Sequence, residues 1–207
     1  MRETGNAHPR PYHHGDLSRA LVDAGRRILE QEGAAALSLR AVAREAGVSP
    51  AAPYHHFKDK TELLEAVAHE GWEALGEAIA EARRTAVTPG DALSDIGIAY
   101  LRFARENPAL YRLMYDTTRD RTAMPQTAHE DESGYANVQQ ALVEAGANPD
   151  QQELALATIA LWCAAHGLAE MANFKEFAEL KTAMGGEEPF LRAILRHYGV
   201  FHGHTTH

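Results

Sequence analysis

The sequence predicts an all-α protein, with a three-helix N-terminal domain followed by a larger helical bundle. Three observations carry this reading. Apolar residues recur at spacings of three and four nearly throughout, and almost no stretch alternates apolar with polar as a half-buried strand does. Ser, Thr and Asp stand just before the apolar runs, and Gly or Pro just after them, where helices start and stop. A chain of 207 residues, 45% of them hydrophobic, is long enough for one small core and one larger one.

The first helix is expected from an N-cap at Asp16 to just before Gly33, with Leu17, Leu21, Ala24 and Ile28 on one face. Ser38 caps a second helix that buries Leu39, Val42, Ala43 and Ala46 and stops at Gly47. Ser49 caps a third, very short helix with Pro50 at its first position, closed by Phe57. Asp59 opens a long helix carrying Leu63, Leu64, Val67, Trp72, Leu75 and Ile79.

Thr88 and Pro89 start the next, with Leu93, Ile96, Tyr100 and Phe103 on one stripe, and Asn107–Pro108 halts it. A short helix over Ala109–Tyr115 precedes a polar loop, residues 116–134, and another helix then runs to about Gly146. After Asn148, Pro149 and Asp150 a long apolar helix extends to about Asn173, with an amphipathic continuation through Phe177 to Met184. Gly185 and Gly186 break the chain before a last helix from Glu188 to about His202.

With one cysteine, Cys163, no disulfide can form within the chain, and nothing calls for an oxidising compartment. Met1–His14 is polar and lacks the apolar stretch of a secretion signal, and the uncharged run Leu154–Ala169 is shorter than the roughly 20 apolar residues of a membrane span. A cytoplasmic protein with no membrane partner is expected. The net charge of −9 is unevenly spread: residues 1–60 carry nine Lys or Arg against seven Asp or Glu, and the remainder eleven against twenty-two. Such asymmetry hints at a nucleic-acid-facing N-terminal part.

Helix, Gly47-Val48-Ser49 turn, short helix is the helix-turn-helix arrangement, whose second helix enters the major groove of DNA. Here that helix is Pro50–His56, with Tyr54, His55 and His56 reaching outward. The run Leu37–Ser49 (LSLRAVAREAGVS), followed by Tyr54, His56, Phe57, Lys60, Leu63 and Leu64, resembles the tetracycline-repressor (TetR-like) family over about residues 16–68.

The resemblance implies phosphate contacts from Tyr54, His56 and Lys60, a DNA-backbone contact from Ser38, and base reading by the short helix. Arg40, Ser49, Ala51, Ala52, His55 and Lys58 complete the candidate DNA-binding set. Pro53 departs from the family pattern, because a proline inside so short a helix removes a backbone donor and stiffens it. Arg10 and Tyr12-His13-His14 are candidates for an N-terminal arm that reaches DNA. Further on, Asn107–Tyr111 (NPALY) and Trp162–Leu168 (WCAAHGL) resemble a subgroup named for a Trp, His, Gly signature.

The family implies a homodimer that represses transcription and releases DNA on binding a small molecule. The corresponding organisation is a flexible arm over residues 1–15, a helix-turn-helix domain over 16–60 and a ligand-binding and dimerisation domain over 61–207. Candidate ligand residues are Trp72, Tyr100, Phe103, Tyr111, Met114, Tyr115, Trp162 and His166, the adaptable and aromatic side chains that line cavities. Arg102 and Arg105 fall off the Tyr100 stripe, so an uncharged, largely apolar effector is expected.

Leu154, Ala157, Leu161, Ala164, Leu168 and Met171 form one seam of the long apolar helix, and Leu156, Ala160, Cys163 and Gly167 a second. Leu191, Ile194, Tyr198 and Phe201 repeat the spacing in the last helix. Two such helices per subunit suit a four-helix dimer interface.

Catalysis is not expected: Cys163 has no basic neighbour in sequence, and no phosphate loop or paired-carboxylate motif appears. No cofactor and no metal site are expected. A metal-responsive regulator, suggested by His197, His202, His204 and His207, and a ligand-independent DNA-binding protein are the competing readings.

Overall fold

The computed structural model describes residues 14–118, 133–171 and 174–197. Among these, every regular element is helical: α1 (His14–Glu32), α2 (Leu39–Glu45), α3 (Lys60–Thr85), α4 (Pro89–Glu106), α5 (Pro108–Thr118), α6 (Gly134–Glu144), α7 (Gln151–Met171), α8 (Ala178–Ala183) and α9 (Glu187–His197), with single 3-10 turns at Ala52–His55 and Lys175–Phe177. The chain divides into two compact units, residues 1–67 and 68–207.

In the first unit α2 begins as its sequence dictates. The Ser38 hydroxyl accepts the Ala41 amide at 3.1 Å, and Gly47 takes φ +68, a left-handed conformation that any Cβ would strain. Leu21, Ala24, Ile28, Leu29, Leu37, Leu39, Val42, Phe57, Leu63 and Val67 make the core. Gly25 lets α1 and α3 meet closely, since a Cβ there would lie 3.0 Å from Val67 Cγ2. Asp59 and Glu62 form a reciprocal cap at the start of α3: Asp59 Oδ1 accepts the Glu62 amide at 3.0 Å and Glu62 Oε2 the Lys58 amide at 2.5 Å.

Three expectations change here. α1 starts at His14, before the expected start at Asp16, and residues 1–13 of the expected arm lie outside the described residues. The short helix expected over Pro50–His56 is one 3-10 turn, Ala52–His55, with no side-chain cap from Ser49. Pro53 has no N–H to give, and the Ala52, Tyr54 and His56 amides bond three residues back, Tyr54 to the Ala51 carbonyl at 3.2 Å, before Phe57 closes the turn on the Pro53 carbonyl four residues back at 2.8 Å. The division of the chain falls inside α3, between Val67 and Ala68, rather than at residue 60, because Leu63 and Val67 complete the core of the first unit.

The second unit is built around α4, which packs against α5, α6, α7 and α9 and buries most of its residues, from Ala92 to Ala104. Thr88, Ser133 and Asp150 cap α4, α6 and α7 with their side-chain oxygens. Arg83 ties α3 to α6, donating to Asn137 Oδ1 at 3.1 Å and pairing with Glu144 at 3.0 Å. α5 runs to Thr118, past the expected Tyr115, and residues 119–132 of the expected loop lie outside the described residues. The amphipathic continuation expected after α7 is a separate 3-10 turn and α8. α9 is described to His197, so Tyr198, Phe201 and the terminal histidines 202, 204 and 207 lie beyond it.

α7 is long and apolar enough to cross a membrane by length and composition, with a mean hydropathy of 1.5 in its most apolar stretch. The shorter charge-free run understates it, because the helix continues past Glu153 and Glu170. Within this unit it packs on α4, α6 and α9, burying Thr158, Leu161, Ala164, Ala165 and Leu168.

Candidate nucleic-acid interface and helical cavity

The turn after α2 closes by backbone bonds alone, Gly47 to the Arg44 carbonyl at 3.2 Å and Val48 to the Ala43 carbonyl at 3.0 Å. The 3-10 turn then hangs between two anchors, Pro53 and Phe57, both buried. Everything else around it faces outward. Tyr54 is 56% exposed, Ser49, Ala51 and His55 are exposed, and Ala52 and His56 are half-buried.

Ser38, Arg40, Lys58 and Lys60 are exposed as well. Lys60 is engaged: its ammonium donates to the Ala34 carbonyl at 3.1 Å, holding the turn between α1 and α2. One cation escaped the sequence reading. Arg44 is exposed one turn after Arg40 on α2, and the i, i+4 spacing of the two arginines was the available signal. Arg27 of α1, by contrast, is paired with Glu45 of α2 at 2.8 Å.

In the second unit the expected ligand residues do come together, but mostly as a packed, hydrogen-bonded network. The Tyr100 hydroxyl lies 3.1 Å from that of Tyr111 and 2.5 Å from that of Tyr115. Tyr111 reaches His166 Nδ1 at 2.5 Å, and Trp162 Nε1 donates to the Tyr115 hydroxyl at 3.0 Å. Trp72 stacks on Trp162, with ring centres 6.1 Å apart, and meets Tyr115 edge-on at 5.3 Å. Burial pushes all three phenols above their ordinary range, so they stay protonated. Trp72 Nε1 is buried and has no hydrogen-bond partner among the described residues. Phe103 and Met114 are buried too, and Met114 packs on Gly71 of α3, where a Cβ would come within 2.7 Å of its sulfur.

A cavity of about 380 Å³ lies elsewhere, where the ends of α4 and α7 meet the starts of α5 and α9. Ile98, Leu101 and Leu191 line it, with Arg102, Arg105, Arg112, Glu170, Glu187 and Glu188 around it. Tyr111 is the single expected ligand residue in its wall. Arg102 and Arg105 do fall off the aromatic stripe, but α4 is buried on more than one side, and the face on which they stand borders this second cavity. Arg112, Glu170 and Glu187 carry no motif that would have marked them, because only tertiary packing brings them together. Among the described residues, no group of three or more His, Cys, Asp or Glu is placed to hold a metal.

Comparison with known proteins matches residues 21–67 to the family described as bacterial regulatory proteins, tetR family, and residues 93–198 to the tetracyclin repressor-like C-terminal domain. The second match alone covers half of the chain. The chain belongs to the tetR family of bacterial regulatory proteins. This tetR-family protein is a transcription regulator with a helix-turn-helix DNA-binding domain.

It is 37% identical over 103 residues to the HTH-type transcriptional regulators Rv1816 of Mycobacterium tuberculosis (strain ATCC 25618 / H37Rv) and Mb1846 of Mycobacterium bovis, a match spanning 48% of this chain and 43% of theirs. Less than half the length of those relatives is therefore matched. Among solved structures it is similar to a protein with unknown function from Rhodococcus sp. RHA1, with a TM-score of 0.68, 29% identity, and 92% and 97% of the two chains covered. A TetR family transcription regulator from Marinobacter aquaeolei VT8 shares the fold at 19% identity, TM-score 0.61, with 88% and 94% covered.

Proposed function

We propose that this tetR-family protein is a cytoplasmic, homodimeric repressor that holds double-stranded operator DNA through the first unit and releases it when the second unit binds a small molecule. The observation that carries the DNA reading is Tyr54, a large aromatic side chain 56% exposed at the tip of a rigid turn whose anchors are buried. Tyr54 and His56 then bind phosphates, with Lys60 and Ser38 beside them, while Ala51, Ala52 and His55 face the bases and Ser49, Arg40 and Lys58 flank them. Small side chains at Ala51 and Ala52 allow close approach to the groove. Half or more of protein–DNA hydrogen bonds go to phosphate and sugar from such groups, and these set affinity and register rather than sequence choice.

The dimer reading is supported by α7, whose Leu156, Ile159, Ala160 and Cys163 form an exposed apolar stripe at helical spacing. Of the seam expected through Leu161, the side chains of Leu161, Ala164 and Leu168 are buried within the protomer, as is Leu191 of α9, while Met171 is exposed, and this favours the other stripe as the one that meets a partner. Two half-sites about one helical turn apart then match the two recognition turns of a dimer.

The test is selection of duplexes from a random pool by the full chain, followed by fluorescence anisotropy on the winner. Tyr54→Ala should weaken binding to selected and random duplexes alike, as loss of a phosphate contact does. Wild-type affinity in that variant overturns the assignment of Tyr54.

A further inference from the structure

We propose that the cavity at the junction of α4, α5, α7 and α9 holds a small amphipathic monoanion, its carboxylate between Arg102 and Arg112 and its apolar body on Ile98, Leu101 and Leu191. The proposal rests on reading the second unit as effector-binding and names the class of effector. A volume of about 380 Å³ is within the range of small-molecule sites.

Charge pairing decides the class. Glu187 is held by Arg105 at 2.7 Å and by Lys181 at 3.2 Å. Glu188 is held by Arg192, which also pairs with Asp95 at 2.7 Å. Of the six charged side chains in the wall, this leaves Arg102, Arg112 and Glu170 outside any ion pair among the described residues. Two free guanidiniums against one carboxylate favour an anion, which each guanidinium can bind through paired, charge-assisted hydrogen bonds.

A neutral ligand would leave both arginines unused, and a cation would face two like charges. Glu170 sets the limit on the other side. It lies close enough to Tyr111 to disfavour a phenolate there, and it repels a second negative charge on the ligand in the same way. Tyr111 also links the cavity wall to the core network, through Tyr100 and His166, so an occupant touches a side chain that the core depends on.

Calorimetric titration of the full chain with phenylbutyrate, phenylbutanol and phenylbutylamine tests this with one apolar body and three heads. Phenylbutyrate should bind about tenfold or more tighter than the alcohol, and the amine most weakly. Arg102→Gln with Arg112→Gln should erase the preference for the acid and leave the alcohol unchanged. Both arginines are exposed, so an unaltered thermal midpoint checks the fold. Glu170→Gln should tighten phenylbutyrate.

Equal affinity for acid and alcohol, an unaffected double variant, or weakening by Glu170→Gln overturns the proposal. Failure of all three probes at millimolar concentration, with DNA binding intact, overturns the site and leaves the DNA reading standing. Arginine-dependent binding of phenylbutyrate that leaves DNA affinity unchanged upholds the site and overturns its role in DNA release.

Discussion

Tyrosines in the two units are put to opposite use. In residues 1–67, Tyr54 stands exposed on a turn held by buried Pro53 and Phe57. In residues 68–207, Tyr100, Tyr111 and Tyr115 are hydrogen-bonded to one another and to His166 and Trp162 in the interior. The same residue type is a solvent-facing tip in one place and interior packing in the other. What separates them is whether the hydroxyl has found its partner within the chain: a buried hydroxyl must, and an exposed one stays available.

The contrast can be broken by substitution. Tyr111→Ala removes a buried ring and unties two partners, and it should cost roughly 3–5 kcal/mol in urea unfolding. Tyr111→Phe keeps the ring and removes only the bridging hydroxyl, for about 1–3 kcal/mol in the same measurement. Tyr54→Ala should change stability by no more than about 0.5 kcal/mol while weakening DNA binding. If Tyr54→Ala destabilises as much as Tyr111→Phe, the contrast fails.

Between those extremes, Ile159→Glu puts a charge on the exposed α7 stripe. Light scattering should report a folded monomer, because burying an unpaired charge at the interface is unfavourable. A folded dimer in that variant places the interface elsewhere.

Alkaline titration sharpens the comparison from the other side. The buried phenols have pKa values raised above 10 in the folded chain, so their contribution is fully present below pH 10. Above it the unfolded chain loses protons that the folded chain keeps, and stability falls as pH rises. Ionisation of these tyrosines, followed by ultraviolet absorbance, should therefore coincide with unfolding. Ionisation well before unfolding would mean that the network opens locally.

The two units also differ in how far their sequences reveal them. Around Ser38, Gly47 and Asp59 each signal is local, a cap or a stop acting within four residues, and the structure follows it. Pro53 was legible as a stiffening residue, but its effect went further: the donor it lacks reduces the short helix to one 3-10 turn. In the second unit, aromatic character marked Tyr100, Tyr111, Tyr115, Trp162 and His166 as candidates to line a ligand cavity. It could not say that their polar atoms would satisfy each other, since that depends on how α4, α5 and α7 cross. The cavity was still less legible, because Arg102, Arg112, Glu170 and Leu191 belong to four helices spread over most of the second unit.

The 3-10 turn has a consequence for descent as well as for binding. It is fixed by backbone bonds and by two buried side chains, Pro53 and Phe57, so Ser49, Pro50, Ala51, Tyr54 and His55 are exposed and owe little to the fold. Mutations there can accumulate without unfolding the protein, and each alters the surface offered to DNA. α4 has no such freedom, being buried along most of its length. A lineage carrying this scaffold can therefore redraw its target sites quickly, while the interior that holds the cavity changes slowly. On the function proposed above, orthologues that keep one effector can thus come to govern different sets of genes.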